Sequence, residues 1–270
     1  MDIMELRKKP HLSASAITDY IECGLQYKFF RVDGIKKESV ADVLIFGSSV
    51  HLVLAEFHQR KMFGEIIPKE EFLKLFEKYW KETFEKEKQV SFKNGNTFNS
   101  LLEEGKRLLT VYAEKYVSEN FNILAIEEPF RMEIDGVNLP IIGIMDLVEE
   151  DERGTIIITD HKTASRAYSN EEIDKNFQLT IYYMAARRNG YSDREILLKF
   201  DCLIKTKTPK FEQYYTLRTE ENEQRATRTI KAVLKGIKNG VFLPNENSWR
   251  CPTCAFKSHC ENWFLQKEDQ

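Results

Sequence analysis

The chain reads as an α/β protein. A central, mostly antiparallel or mixed sheet is expected, flanked by helices, with a helical N-terminal part and a C-terminal cysteine cluster. Three observations predict this. Residues up to about 120 carry apolar side chains at helical spacing. Residues 122–134, 137–148 and 154–160 then switch to strand-like apolar runs, separated at Asp135-Gly136 and at Asp151-Glu-Arg-Gly154. Beyond residue 170 helical patterning returns, interrupted by one more strand pair.

Ser13 and Ser15 can cap a helix running to about Phe30, with Ile17, Ile21, Leu25 and Phe29 on one face. A second helix, over about 42–62, carries Gly47-Ser-Ser-Val-His51. A third, over about 69–88, buries Phe72, Leu73, Phe76, Trp80 and Phe84. The stretch Ser91 to Thr97, with Asn94-Gly95-Asn96, is a loop. Ser100-Leu-Leu-Glu103 is a capping box that opens a helix to about residue 119. After the three strands, Asn170 with Glu171 and Glu172 starts a helix that ends at Gly190. Residues 195–205 and 211–217 form a strand pair turning at Thr208-Pro209. Thr219 begins a last long helix to about Lys238, although Asn222 leaves its capping box incomplete. There is no repeat, low-complexity tract or long linker. A single domain over 1–270 is expected: a mainly helical part (1–120), a sheet core with the active site (121–217), and a C-terminal helix and cysteine segment (218–270).

Bulk properties narrow the function classes. Hydrophobic residues at 42% and charged residues at 31% are ordinary for a globular protein in water. No apolar run approaches the roughly 20 residues needed to cross a bilayer. The first ten residues lack the apolar core of a signal peptide. A cytoplasmic protein without a membrane partner is expected. The net charge of −3 argues against indiscriminate nucleic-acid binding, yet allows a local basic surface. Candidates are Lys205, Lys207 and Lys210, the pair Arg187-Arg188, and Lys28, Arg31, Lys36 and Lys37. Each alone reads as a solvated face.

The chemistry concentrates in the second hairpin. Asp146 and Asp160 interrupt isoleucine-rich runs, and carboxylates are costly to bury unless paired or bound to a cation. Antiparallel neighbours would bring the two together as a hard oxygen site suited to Mg²⁺ or Mn²⁺. Lys162, two residues beyond Asp160, shares its face of the strand and can stabilise developing charge. Near the C-terminus, Cys251-Pro-Thr-Cys254 and Cys260 place three thiols within ten residues, a spacing that favours metal over disulfides. Cys23 is the best fourth ligand, with His259 an alternative for zinc. Spacing alone leaves structural zinc and an iron–sulfur cluster open. Cys202, inside an apolar strand, reads as a core residue. Glu56 and His58 match no motif and read as surface.

Taken in order, Cys23, Gly47-x3-His51, Gly143-Ile-Met-Asp146, Asp160-His-Lys162-Thr163, Gln178-x3-Tyr182 and Cys251-x2-Cys254-x5-Cys260 resemble the RecB/AddB-type nucleases of the PD-(D/E)XK superfamily. The closest likeness is to their iron–sulfur branch, which includes the AddB nuclease domain and the CRISPR-associated adaptation nuclease. The opening Leu12 to Cys23 also resembles that branch, and the likeness spans residues 12–264. The resemblance implies a restriction-endonuclease-like core and a role for each motif. His51, Asp146 and Asp160 correspond to metal ligands, with the main-chain carbonyl of His161. Lys162 corresponds to the catalytic lysine, and Gln178 and Tyr182 to the motif on the following helix. Cys23, Cys251, Cys254 and Cys260 correspond to 4Fe–4S ligands. Gly24 departs from the family, which often has proline there.

The expected function is therefore metal-dependent hydrolysis of DNA, as an exonuclease of recombination, repair or phage-type processing. A CRISPR spacer-adaptation nuclease is the alternative, and a non-catalytic DNA-binding subunit the alternative of another class. The expected substrate is DNA, single-stranded or with single-stranded ends, with a helicase, recombinase or adaptation-complex partner. No phosphate-binding loop of the Gly-x4-Gly-Lys type is present, so no intrinsic ATPase is expected.

Overall fold

The structure, a computed structural model, describes residues 2–37, 39–116, 121–248 and 250–265. Asp2 and Ser13 cap the first two helices, α1 (Ile3–Arg7) and α2 (Ala14–Glu22), by accepting from their first-turn N–H groups. The helix expected to continue to Phe30 breaks at Cys23, whose backbone is extended (φ −162°, ψ 104°). It restarts as α3 (Gly24–Tyr27) and runs into a π-helical turn over Lys28–Val32. The break lets returning C-terminal backbone lie against this segment. A Cβ on Gly24 would sit 2.9 Å from Leu243 N, and Leu25 N–H donates to Leu243 O at 3.1 Å. Glycine therefore stands where the resembled family often has proline because another strand of chain approaches it. Ile17, Leu25 and Phe29 are buried as expected, whereas Ile21 faces solvent.

A helical layer follows. The two-residue strand β1 (Val40–Ala41) leads into α4 (Asp42–Met62) and then α5 (Lys69–Glu85). β2 (Val90–Ser91) pairs with β1 in parallel before α6 (Phe98–Tyr116). Phe46, Phe72, Phe76, Trp80, Leu108 and Tyr112 fill the space between these helices, each at most 1% exposed. Leu73 and Phe84 pack at its margin. The expected loop turns through Asn94 and Gly95, both at positive φ. Buried Asp42 holds it by accepting from Lys93 N–H and Asn96 Nδ2. α6 begins two residues before Ser100. Thr97 is its cap, and Ser100 takes the part expected of Glu103: Ser100 N–H donates to Thr97 Oγ1 and Thr97 N–H to Ser100 Oγ. The expected end near residue 119 lies outside the described residues.

The sheet comprises β3 (Asn122–Met132), β4 (Ile141–Glu150), β5 (Ile156–Ala164), β6 (Ile196–Ile204) and β7 (Lys210–Thr216), side by side in that order. Every neighbouring pair is antiparallel except β5 and β6, which run parallel. A parallel pair needs a crossover, supplied by α7 (Asn170–Asp174) and α8 (Phe177–Arg188). One continuous helix was expected there. Instead Ser169 and Glu172 form a capping box for α7, and Asn176 caps α8. Buried Arg218 holds the break by donating to Ile173 O (2.9 Å) and Asn176 O (3.1 Å), the carbonyls on either side of it. α9 (Glu220–Lys238) starts at Thr219, where Asn222 Oδ1 accepts from Thr219 N–H and completes the box. A 3₁₀ turn (Cys251–Thr253) and α10 (Lys257–Leu265) close the described residues.

The sheet separates two apolar clusters. Ile158, Leu198 and Phe200 pack with Leu179, Ile181, Ile17 and Ile230, from α8, α2 and α9. Leu147, Leu203 and Phe211 pack with α4, α5 and α6. A mixed sheet between helices is the expected fold class. Among the described residues, no helix is long and apolar enough to cross a membrane. The packing is tight at Gly105 of α6, where an added Cβ would lie 2.1 Å from the fully buried Phe76 ring. Gly105→Ala should gain about 1 kcal/mol of helix propensity and lose about 1–3 kcal/mol to overpacking. A net loss of stability in urea unfolding is expected.

Candidate active site

Asp146 and Asp160 mark the point where two strands part. β4 and β5 pair from Glu150/Ile156 to Leu147/Thr159, and one further step of that register would set Asp146 opposite Asp160. On the other side of β4, Ile126 pairs with Leu147 and Glu128 with Met145, which sets Glu127 opposite Asp146. Three carboxylates thus occupy one row across three strands. Glu127 leaves strand geometry here, with φ at 50°, an uncommon conformation for a residue other than glycine.

The Asp146 carboxylate takes up a backbone donor at the fork. His161 N–H donates to Asp146 Oδ2 at 2.8 Å, and His51 Nδ1 lies 3.3 Å from the same oxygen. Burial pushes the Asp146 pKa up, but His161, His51 and the His161 N–H outweigh it and hold the carboxyl below its usual range. Asp160 behaves oppositely. It is 1% exposed, and burial raises its pKa despite Lys162 Nζ at 2.6 Å.

Around Asp160 the polar groups close into a ring. Lys162 Nζ contacts Asp160 Oδ2 and donates to Gln178 Oε1 at 3.0 Å. Gln178 Nε2 donates to Tyr182 OH at 2.8 Å, and Tyr182 OH donates to Asp160 Oδ1 at 3.2 Å. Gln178 and Tyr182 lie one turn apart on α8, so both reach the same strand. Burial would lower the Lys162 pKa, but the Asp160 carboxylate reverses this and keeps the ammonium charged. Burial and Asp160 raise the Tyr182 pKa, so the phenol stays a donor.

The sequence-predicted residues His51, Asp146, Asp160, His161, Lys162, Gln178 and Tyr182 therefore meet in one place. His161 brings its N–H and its ring to Asp146. The ring is 3% exposed, with Tyr112 OH 3.5 Å away and the His58 ring stacked at 5.5 Å. His58, read as surface, is fully buried and hydrogen-bonded to Tyr112 OH at 2.7 Å. Glu56, read likewise, is half-buried and bound by Arg60 and Tyr79. Sequence reasoning also missed Glu127. Ligand atoms of His51, Glu127 and Asp146 all lie within 4.8 Å of one another. Only the strand register, which the sequence does not print, places Glu127 there. Its side chain is open to solvent on one side. Even so, the protein around its carboxyl and the charges of Asp146 and Asp160 push its pKa up to about 7. One imidazole and crowded carboxylates that repel one another fit a divalent cation.

The second cluster of sequence-predicted ligands also assembles. Cys23, Cys251, Cys254 and Cys260 line one cavity of about 120 Å³, walled by Leu25, Phe29 and Phe256. Burial raises the Cys260 pKa, and the Cys23, Cys254 and Cys251 thiols add to the rise. Four sulfurs in one apolar pocket are the donor set of a structural metal or an iron–sulfur cluster. His259 stands beside Phe29, ring centroids 6.0 Å apart. Cys202 is fully buried in β6, as expected of a core residue.

Comparison with known proteins agrees with this geometry. Residues 11–261 match the family described as the PD-(D/E)XK nuclease superfamily. A solved structure from Eubacterium rectale, named "Putative exonuclease", is similar in fold. Its TM-score is 0.52 at 14% identity, over 90% of this chain and 87% of that one. A second solved structure, of a protein named SSO0001, aligns at TM-score 0.36 and 14% identity, over 92% of this chain and 95% of that one. No curated protein matches the chain.

The metal fit is open to direct measurement. Calorimetric titration with Mn²⁺ is expected to show binding that Asp146→Asn abolishes. Glu127→Gln should weaken it about tenfold or more, with the circular dichroism of both variants unchanged.

Proposed function

The chain belongs to the PD-(D/E)XK nuclease superfamily, and from that premise we propose that it is a Mg²⁺- or Mn²⁺-dependent deoxyribonuclease. Its action is that of an exonuclease in DNA repair, recombination or phage-type processing. It is of the RecB/AddB type, and the four cysteines hold a 4Fe–4S cluster. The observation that carries this reading is the closed ring of Asp160, Lys162, Gln178 and Tyr182 beside the grouping of His51, Glu127 and Asp146. The Eubacterium rectale structure supports the exonuclease reading through its name and its fold.

Asp146, Asp160, His51 and Glu127 are the residues to hold the cation, with the His161 carbonyl. A cation bound there supplies a water of lowered pKa and a polarised phosphate. The chain's own contribution is positioning. Lys162 presents a fixed ammonium where charge develops on the phosphate oxygens. Asp160 and Gln178 hold that ammonium from two sides, and Tyr182 holds both Asp160 and Gln178. Because Tyr182 stays protonated, its O–H keeps one Asp160 oxygen occupied and leaves the other to Lys162. The cysteine cluster ties the first and last segments of the chain together and takes no part in hydrolysis.

End-labelled DNA incubated with Mg²⁺ or Mn²⁺ should be shortened from its ends by the wild type. Asp160→Ala is expected to lose this activity while keeping its fold, and undiminished cleavage by that variant would overturn the assignment. Anaerobically purified protein should contain about four irons and four acid-labile sulfides per chain, with brown colour lost in Cys254→Ser. Zinc alone would overturn the iron–sulfur assignment and leave the nuclease assignment standing.

A further inference from the structure

The helical layer reaches the cation site through a second histidine. His51 and His58 stand two turns apart on one face of α4. His51 meets Asp146 directly, with Nδ1 3.3 Å from Oδ2. His58 reaches the same oxygen through two intermediates. Its Nε2 is hydrogen-bonded to Tyr112 OH of α6 at 2.7 Å, and Tyr112 OH stands 3.5 Å from His161 Nε2. The other nitrogen of that imidazole, Nδ1, lies 3.7 Å from Asp146 Oδ2. The His58 and His161 rings also stack, with 5.5 Å between centroids and 28° between planes. The His161 ring is thus held on its face by His58 and at its edge by Tyr112.

This row of polar groups crosses an apolar layer. Phe57 and Tyr116 pack against both His58 and Tyr112, and Phe211 packs against Tyr112. Both His58 and Tyr112 are fully buried. Among the described residues, His58 Nδ1 has no hydrogen-bond partner. A buried nitrogen left unpaired costs stability, and leucine and phenylalanine would fill the same space without that cost. Packing of the layer gives no reason for the pair, whereas the His161 ring at its end gives one.

Donors gather at one oxygen of Asp146. His161 N–H donates to Oδ2 at 2.8 Å, and both imidazoles approach that same atom. Among the described residues, no hydrogen bond reaches Oδ1. A carboxylate engaged at one oxygen keeps one orientation, and groups behind a ligand that fix its orientation tune its affinity for a metal.

We propose that His58 and Tyr112 are positioning residues of the nuclease centre: through the His161 ring they hold the Asp146 carboxylate in the orientation that accepts the divalent cation. The proposal rests on the nuclease reading and adds to it two residues that touch neither the cation nor the DNA.

Two variants separate positioning from packing. Tyr112→Phe keeps the ring and removes the hydroxyl. Calorimetric titration should show its Mn²⁺ binding weakened about 10–100-fold. Cleavage of end-labelled DNA should lose a similar factor in kcat, with KM unchanged. Its urea midpoint in EDTA should fall as well, because His58 Nε2 is left unpaired. Tyr112→Phe combined with His58→Leu removes both polar partners, so the urea midpoint should return towards that of the wild type while Mn²⁺ affinity and kcat stay low. If Tyr112→Phe does not fold, the double variant carries the test alone. Wild-type Mn²⁺ affinity in Tyr112→Phe, or recovery of affinity together with stability in the double variant, would overturn the proposal. A wild-type protein that binds Mn²⁺ but cleaves no DNA would count against the nuclease reading instead, and the binding comparison would still decide the roles of His58 and Tyr112.

Discussion

The hydrogen bond from His161 N–H to Asp146 Oδ2 stands where β4 and β5 separate, and the rest of the site is arranged around it. Two carboxylates facing each other in a β ladder repel, and a buried N–H left unpaired is expensive. The structure answers both demands with one group. Asp146 accepts the strand's orphan donor, so the ladder can end inside the protein without an unsatisfied amide. Ending it there opens a gap in the sheet between two strands that remain anchored by pairing beyond the fork. A cleft bounded in this way has rigid walls, because its edges belong to the sheet.

The opposite proton affinities of the two aspartates follow from the same fork. Asp146 is surrounded by donors and imidazoles and favours its charge. Asp160 sits deeper, and one lysine does not fully compensate for its burial. Behind them the far face of the sheet is also polar. Lys199 Nζ lies 3.6 Å from both Glu149 and Asp201, all three at most 1% exposed, and Tyr116 OH donates to Glu149 at 2.5 Å. Buried charges of this kind add little net stability, but removing one partner is costly. They fix how β4 and β6 sit relative to α6. His161 lies between that network and the metal-type grouping, with Tyr112 and His58 packed against its ring.

Much of this was legible in the residues. Asp146, Asp160 and Lys162 announced themselves as charges in apolar runs, and the strands carrying them lie within a few residues of expectation. What the sequence could not show were features decided by distant chain. The helix through Cys23 reads as continuous because nothing local forbids it, and it breaks because residues 242–243 come to lie on Gly24. The helix from Asn170 breaks where Arg218, some forty residues on, collects the carbonyls on either side. His58 looked like a surface residue until Tyr112 and His161 closed over it. Glu127 was invisible for a different reason. Its place beside Asp146 is a property of pairing register, and two consecutive glutamates in a strand do not reveal which one faces the neighbour's carboxylate.

The contacts that draw the first helices and the last segment together carry a consequence for how the chain is made. Tyr20 OH donates to Val241 O, Asn245 Nδ2 to Glu22 O, and Arg250 to Asp19, each across more than 220 residues. During synthesis the N-terminal helices emerge long before their partners exist. The sheet and the helical layer can form first, because their contacts are nearer in sequence. The N-terminal segment must then wait, with Leu25 and Phe29 uncovered, until Phe256 and its neighbours have been made. A chain stopped between α9 and Phe256 would leave that early segment without its cover, so the order of synthesis sets when the N-terminal helices can be buried.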